Sequence, residues 1–361
     1  MKLGFGFYHH MLTRDNFAFA AQCGATHAVV HLVDYTHGGA PAVGDRDEQP
    51  IGDDSGWGVA GSTLNDWTES SLHRLVAEMA TYGIAIEAIE NFDPADWHDV
   101  LLGGPRRDEQ IETIKDRIRA VGQAGIPQIG YNFSLTGVAS RTTGAFARGG
   151  AVSVGMTEID TTPVPAGMVW NMWYDRTAGT GGRQPTSTVS DLWDRWRYFA
   201  DEVFPVAEAN GVALAAHPDD PPVEEVRGQP KFIWRPDHYQ RLIDYAPSTA
   251  NRLEFCVGTL AEMPDHDIYE TVERYAGQHR IGYVHLRNVA GTAPHYTEQF
   301  IDDGDVDMRR VVSILKSHGF DGVVIADHTP RLECAAPWHA GIAYAMGYIR
   351  ALLQDAAPGN E

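Results

Sequence analysis

The sequence predicts an α/β protein: a (β/α)8 TIM barrel of one domain, 1–361, with long loops on its C-terminal face. Three observations predict it. Eight short apolar, β-branched or aromatic runs recur, at 2–7, 28–32, 84–89, 128–133, 212–216, 252–256, 281–286 and 322–326. Longer amphipathic stretches separate them, the alternation of a parallel barrel. The length, 361 residues, is one at which such barrels form single domains. A doubly wound sheet would alternate as well. However, Gly4-Phe5-Gly6 lies inside the first run and lacks the third glycine of a dinucleotide-binding loop.

The helical stretches follow from their periodicity. Leu72, Leu75, Val76 and Met79 form one stripe along 68–82. Ile111, Ile114, Ile118 and Val121 do the same along 108–124. Further helices are expected at 190–210, 236–245, 267–277, 306–318 and 338–353, with Asp305 as the N-cap of 306–318. Two connections exceed the usual few residues: about 33–64, rich in Gly and Asp, and about 134–187, rich in Gly, Thr and Pro. Both follow strands, so both fall on the barrel face where active sites form. Trp57, Trp170, Trp173 and Tyr174 mark them as pocket walls or lids rather than disordered inserts.

Composition narrows the function. The chain is 43% hydrophobic and 21% charged, which is ordinary for a globular protein. Its formal net charge of -21 lacks the basic footprint that nucleic acid or an anionic membrane surface requires. Three cysteines, Cys23, Cys256 and Cys334, are too few for a disulfide framework and suit a reducing compartment. The opening MKLGFGFYHHMLTRD has no long apolar segment of the secretory kind, and no window is apolar enough to span a bilayer. The expectation is a cytoplasmic protein acting on a small molecule.

The chemistry lies at the ends of the last four strands. They present His217, Cys256, His285 and Asp327 in turn. In a closed barrel these ends converge on one point. Two imidazoles, a thiolate and a carboxylate make a competent divalent-metal site, and Zn²⁺, Mn²⁺ and Fe²⁺ all suit it.

The motifs are also specific. HPDDPP at 217–222, Cys256-Val257-Gly258, His285-Leu286-Arg287, Gly304-Asp305-Val306-Asp307-Met308 and Asp327-His328 resemble the motif set of the mannonate dehydratase family. Tyr131-Asn132-Phe133 and Arg141-Thr142 resemble it too. The resemblance runs through most of the chain and is dense after about residue 200. It implies a xylose-isomerase-like TIM barrel that dehydrates D-mannonate, or a close analogue, to 2-keto-3-deoxy-D-gluconate. It implies Mn²⁺ or a similar ion (Fe²⁺, Co²⁺ or Zn²⁺), with His217, Cys256, His285 and Asp327 as its ligands.

Such a reaction removes the proton at C2, α to a carboxylate, and expels the C3 hydroxyl. It needs a general base and a general acid. His328, next to ligand Asp327, is the first candidate base. Arg287 can fork onto a substrate carboxylate, or form a salt bridge to Asp305 or Asp307. Asn132 and Glu90 end strands four and three and can hold substrate hydroxyls. Asp219 and Asp220 can orient His217, or cap a turn.

The sequence departs from the family in two places. The family carries a catalytic tyrosine in a Pro-Gly-Tyr-Ser element after its Asp-His motif. The matching stretch here is Pro337-Trp338-His339-Ala340, so His339 stands as the expected acid, with Tyr344 five residues on. The first strand reads GFGFYHH in place of the family's Trp- and Gly-rich opening. Tyr8, His9 and His10 are therefore expected on the sugar-binding wall. The competing reading is a metal-dependent isomerase or epimerase of the same barrel group acting on a neutral sugar. By analogy with that group, a homo-oligomer, dimer or tetramer, is expected.

Overall fold

The computed structural model describes residues 1–38, 56–178 and 181–355. Eight parallel strands close the barrel: β1 Lys2–Phe7, β2 His27–Val30, β3 Ala85–Glu90, β4 Gln128–Tyr131, β5 Ala213–Ala216, β6 Asn251–Cys256, β7 Ile281–Leu286 and β8 Val323–Ala326. They follow one another in chain order around the ring, and β8 returns to β1. The sequence places every one of them within three residues of its observed bounds. The closure depends on Gly4. A methyl there would lie 2.5 Å from Val323 Cγ1 and 2.8 Å from Ile325 Cγ2. Without it, the branched side chains of β8 fill the interior beside β1.

Ten helices stand among the described residues: α1 Arg14–Gln22, α2 Glu69–Ala80, α3 Pro94–Leu102, α4 Arg107–Gln123, α5 Val189–Ala209, α6 Pro236–Tyr245, α7 Val257–Glu262, α8 Ile268–Gly277, α9 Met308–Ser317 and α10 Pro337–Gln354. The four-residue stripe of α4 is fully buried against the barrel. In α2 only Leu72 and Met79 are fully buried, while Leu75 and Val76 are half-buried. Helix α9 corrects the sequence reading of its cap. Asp307, not Asp305, accepts from the Arg309 and Arg310 amides, and Asp305 instead accepts from the Gly291 amide. The periodicity search passes over α1, α3 and α7, which are short or begin within the strand-end loops.

The described parts of the long loops carry regular structure and packed aromatics. Residues 39–55 of the 33–64 connection lie outside the described residues. From the 134–187 connection, strands Thr142–Ala147 and Ala151–Met156 join the hairpin Asn288–Thr292/His295–Gln299 in one antiparallel sheet. This sheet stands over one side of the barrel mouth. Tyr35, Trp57 and Trp170 pack on one another at the other side.

Candidate active site

Side chains two apart on a strand share a face. Below the mouth, Val29, Ala88, Ala215, Tyr283, Val323 and Ile325 pack as the barrel interior. Two residues further along, the same faces present His31, Glu90, His217, His285 and Asp327, and β6 presents Cys256 above Glu254. Donor atoms of His217, Cys256 and His285 all lie within 4.8 Å of one another. Asp327 joins them: its carboxylate is 3.8 Å from Cys256 Sγ and 3.8 Å from His285 Nδ1. His217 Nδ1 donates to the Pro218 carbonyl at 2.5 Å, leaving Nε2 as the nitrogen that faces the site.

These residues fit a divalent cation. Nδ1 of His285 is buried with no hydrogen-bond partner among the described residues. In a finished site a ligand takes up such atoms. Nitrogen, sulfur and carboxylate donors together accept Mn²⁺, Fe²⁺, Co²⁺ or Zn²⁺. On the opposite side of the His285 ring, Nε2 is 3.3 Å from Glu90 and 3.5 Å from Glu254. Carboxylates so placed hold a ligating imidazole in orientation. Glu254 is fully buried and was not singled out from the sequence, although its i−2 spacing to Cys256 could have marked it. Gly130 makes room for this layer. A side chain there would strike the Tyr283 hydroxyl and the Glu254 carboxylate.

The charges are strongly coupled. Burial would raise the Cys256 thiol, but Arg287 and the two imidazoles outweigh it and bring it down to about 5. Burial would lower His217, yet Glu254 and Cys256 push it up to about 9. Burial likewise opposes protonation of His285, and Glu90 and Cys256 raise it well above its ordinary value. Glu90 is held down at about 2 by His31 and His285 against the cost of burial. Burial and the neighbouring Glu90 push Glu254 well above the usual carboxylate range. Burial and the carboxylates of Asp327 and Glu90 likewise raise the Tyr8 phenol.

His328 lies beside Asp327. Its Nδ1 is 2.9 Å from Glu298 Oε1 and its Nε2 is 3.2 Å from Asp327 Oδ1. Arg287 Nη1 also lies 3.1 Å from the same Nδ1, so that nitrogen sits between a carboxylate and a guanidinium. Glu298 comes from the hairpin after β7, and no local motif announces it.

Two cavities meet at this point. One, of about 590 Å³, holds His217, His285, Asn132, Glu90 and Arg141. The other, of about 440 Å³, lies under the loop sheet against Ser153, Thr329 and Trp338. Tyr8, Asp327 and His328 line both. A larger open dish of about 1130 Å³ at the opposite barrel end, around Lys2 and Gln128, touches none of the residues above.

Four expectations need correction on geometry. Arg287 reaches the cavity wall, but protein groups take up its two terminal nitrogens, while Nε has no hydrogen-bond partner among the described residues. Nη2 donates to Asp220 (2.8 Å), Thr259 (2.9 Å) and Glu262 (2.9 Å), and Nη1 lies 3.1 Å from His328 Nδ1 and 3.4 Å from Glu298. Neither Asp305 nor Asp307 is its partner. Asp219 and Asp220 do not orient His217: Asp219 accepts from the Phe232 and Ile233 amides, and Asp220 pairs with Arg141 and Arg287. His9 turns out of the cavity to Asp66, 3.1 Å away. His339 lies on α10 with Nε2 3.2 Å from Asn16 Oδ1 and its ring edge-on to Phe19. It lines neither cavity, and Tyr344 is exposed beside Arg148.

The comparisons agree with this geometry. The family model described as D-mannonate dehydratase (UxuA) matches residues 61–155 and 185–354. A mannonate dehydratase of Streptococcus pneumoniae (strain 70585) is 31% identical over 282 residues, covering 74% of this chain and 75% of its own. Mannonate dehydratase 2 of Halalkalibacterium halodurans is 27% identical over 274 residues, covering 73% and 79%. The crystal structure of mannonate dehydratase from Streptococcus suis serotype 2 superposes with a TM-score of 0.72 at 26% identity, covering 98% and 93%. An L-ribulose 3-epimerase structure, at 14% identity and a TM-score of 0.55, shares the fold alone. The chain belongs to the D-mannonate dehydratase family of lyases.

Proposed function

We propose that this protein dehydrates D-mannonate, or a close analogue, to 2-keto-3-deoxy-D-gluconate, using a divalent ion held by His217, Cys256, His285 and Asp327. One observation carries the reading. The three donor atoms that lie within 4.8 Å stand beside a histidine, His328, whose Nδ1 is committed to a buried carboxylate. Bound there, the ion, Mn²⁺ in the first instance, supplies positive charge that makes the proton α to the substrate carboxylate removable. Where Nδ1–H is given to Glu298 and Asp327 serves the ion, Nε2 of His328 is the nitrogen that takes the C2 proton. Asn132 Oδ1, buried without a hydrogen-bond partner among the described residues, is placed to accept from a substrate hydroxyl. Glu90 and Tyr8 complete the wall around it.

Arg287 acts by holding Asp220, Glu262 and Glu298 in place rather than by binding the substrate. Three free thiols suit a cytoplasmic setting, and no described helix is long and apolar enough to cross a membrane. Assembly as a dimer or tetramer rests on analogy with barrels of this group, and sedimentation equilibrium reads it. The test of function is incubation of the purified protein with Mn²⁺ and D-mannonate beside an EDTA-treated control. Metal-dependent keto-deoxy product is the expected result. Folded, metal-loaded protein that forms none would move the substrate to another aldonic acid.

A further inference from the structure

Loss of the C3 hydroxyl requires a proton at the leaving oxygen, and His339 is turned to Asn16 and Phe19 of α1 and lines neither cavity. We propose that Tyr8 is the general acid, delivering its phenolic proton to the C3 oxygen while His328 removes the proton at C2. The proposal rests on the dehydratase reading above.

Position is the first support. Tyr8 follows β1 directly, and His328 follows β8 by one residue; these are neighbouring strands of the closed ring. Tyr8 and His328 both line the two cavities, so a substrate spanning the mouth has both side chains on its wall. Commitment is the second. The other tyrosine hydroxyls at the site are engaged by protein: Tyr35 by His31 and Asn91, Tyr283 by Glu90, Tyr296 by Asp220. The Tyr8 hydroxyl makes no hydrogen bond among the described residues, so its proton is available to a ligand. Rigidity is the third. The Tyr8 ring stacks on His31 at 4.7 Å and meets Tyr35 edge-on at 6.2 Å, which fixes the direction of its hydroxyl.

The step balances. The C2–H bond breaks and its proton goes to His328. The electron pair becomes the C2=C3 double bond as the C3–O bond breaks, and the oxygen leaves as water with the Tyr8 proton. The resulting enol loses its hydroxyl proton and gains one at C3 to give the keto acid. Return of the proton from His328 to the phenolate, through solvent, closes the cycle with no outside oxidant or reductant.

The test compares Tyr8→Phe and wild type, both metal-loaded, on D-mannonate and on 3-deoxy-3-fluoro-D-mannonate. Fluoride departs without a proton, so it does not need the acid. The expected result is a kcat on D-mannonate lowered by roughly 100-fold or more. KM, metal content and thermal midpoint stay near wild type, and fluoride release stays within a few-fold of wild type. His328→Ala, in contrast, loses both reactions, because each needs the C2 proton removed. Undiminished D-mannonate turnover by Tyr8→Phe overturns the assignment. Equal slowing of both substrates also overturns it, because Tyr8 would then only position the sugar. If wild type acts on neither substrate, the D-mannonate reading itself has failed and this assignment, which is made for D-mannonate, falls with it.

Discussion

His328 Nδ1 lies 2.9 Å from Glu298 Oε1, and that contact joins the end of β8 to a hairpin that grows from β7. Glu298 is buried, and Arg141 and Arg287 lie at 3.6 and 3.4 Å from the same oxygen. Burial opposes its ionisation, but His328 and Arg287 outweigh it, so its carboxyl sits below the ordinary range. An ionised Glu298 fixes which ring nitrogen of His328 keeps its proton. Glu298→Gln keeps the shape and removes the charge. We expect kcat to fall by roughly 10- to 100-fold while the bound metal is retained. Steady-state kinetics with metal analysis on the same sample check it, and wild-type kcat would remove Glu298 from the mechanism.

Metal uptake should release protons. The apo site carries His217 protonated up to about 9, while Cys256 is already a thiolate above about 5. The ion binds the neutral imidazole, so between those values binding must expel at least the His217 proton. Affinity therefore rises at least tenfold per pH unit toward 9, and more steeply where the raised His285 proton must leave as well. Titration calorimetry in buffers of different ionisation enthalpy counts the protons. A pH-independent affinity with no proton release would contradict the assignment of His217. His285→Ala should abolish stoichiometric metal binding and turnover together.

The barrel is legible because each strand is a compact apolar run. The convergence of His217, Cys256, His285 and Asp327 is legible because each sits at a strand end, where local sequence dictates position. Glu298 is not, because its place depends on how two loops pair into one sheet. Glu254 was readable in principle, since it shares a face with Cys256, but a lone acid within a strand carries no motif. Arg287 was found but its partners were misread. Asp305 and Asp307 are close to it in the motif order, while the loop after β5 and helix α7 bring Asp220 and Glu262 to it in space. The match to a family element fixes the place of His339 along α10, not the side of the helix that faces the mouth, and so its place at the site is not legible in the sequence.

His339→Phe should therefore be nearly silent in catalysis. The ring would keep its edge contact with Phe19 and lose the link to Asn16, an interaction between partly buried groups. We expect kcat within about twofold of wild type and a stability change on the order of 1 kcal/mol. Urea unfolding and kinetics on one preparation measure both. A hundredfold loss of kcat at unchanged stability would return His339 to the active site.

Arg287 separates the sequence reading from the structural one most directly. If it clamped a substrate carboxylate, Arg287→Met would raise KM and spare the fold. In the structure its guanidinium faces Asp220, Glu262, Glu298 and Asp327, all within 3.4 Å and all buried or nearly so. Removing the cation leaves those carboxylates with Arg141 as their remaining arginine, and burial then favours protonating or exposing them. Breaking a buried pair from one side costs about 3–5 kcal/mol. It should also loosen the Glu298 that holds His328 and remove the charge that keeps Cys256 a thiolate. We expect a clear drop in the thermal midpoint, weaker metal binding and a lower kcat in whatever folds. Gly258→Ala supplies an independent check, since its new methyl would press on the Arg287 side chain without removing the charge. Wild-type stability of Arg287→Met with KM raised steeply for D-mannonate would restore the carboxylate clamp.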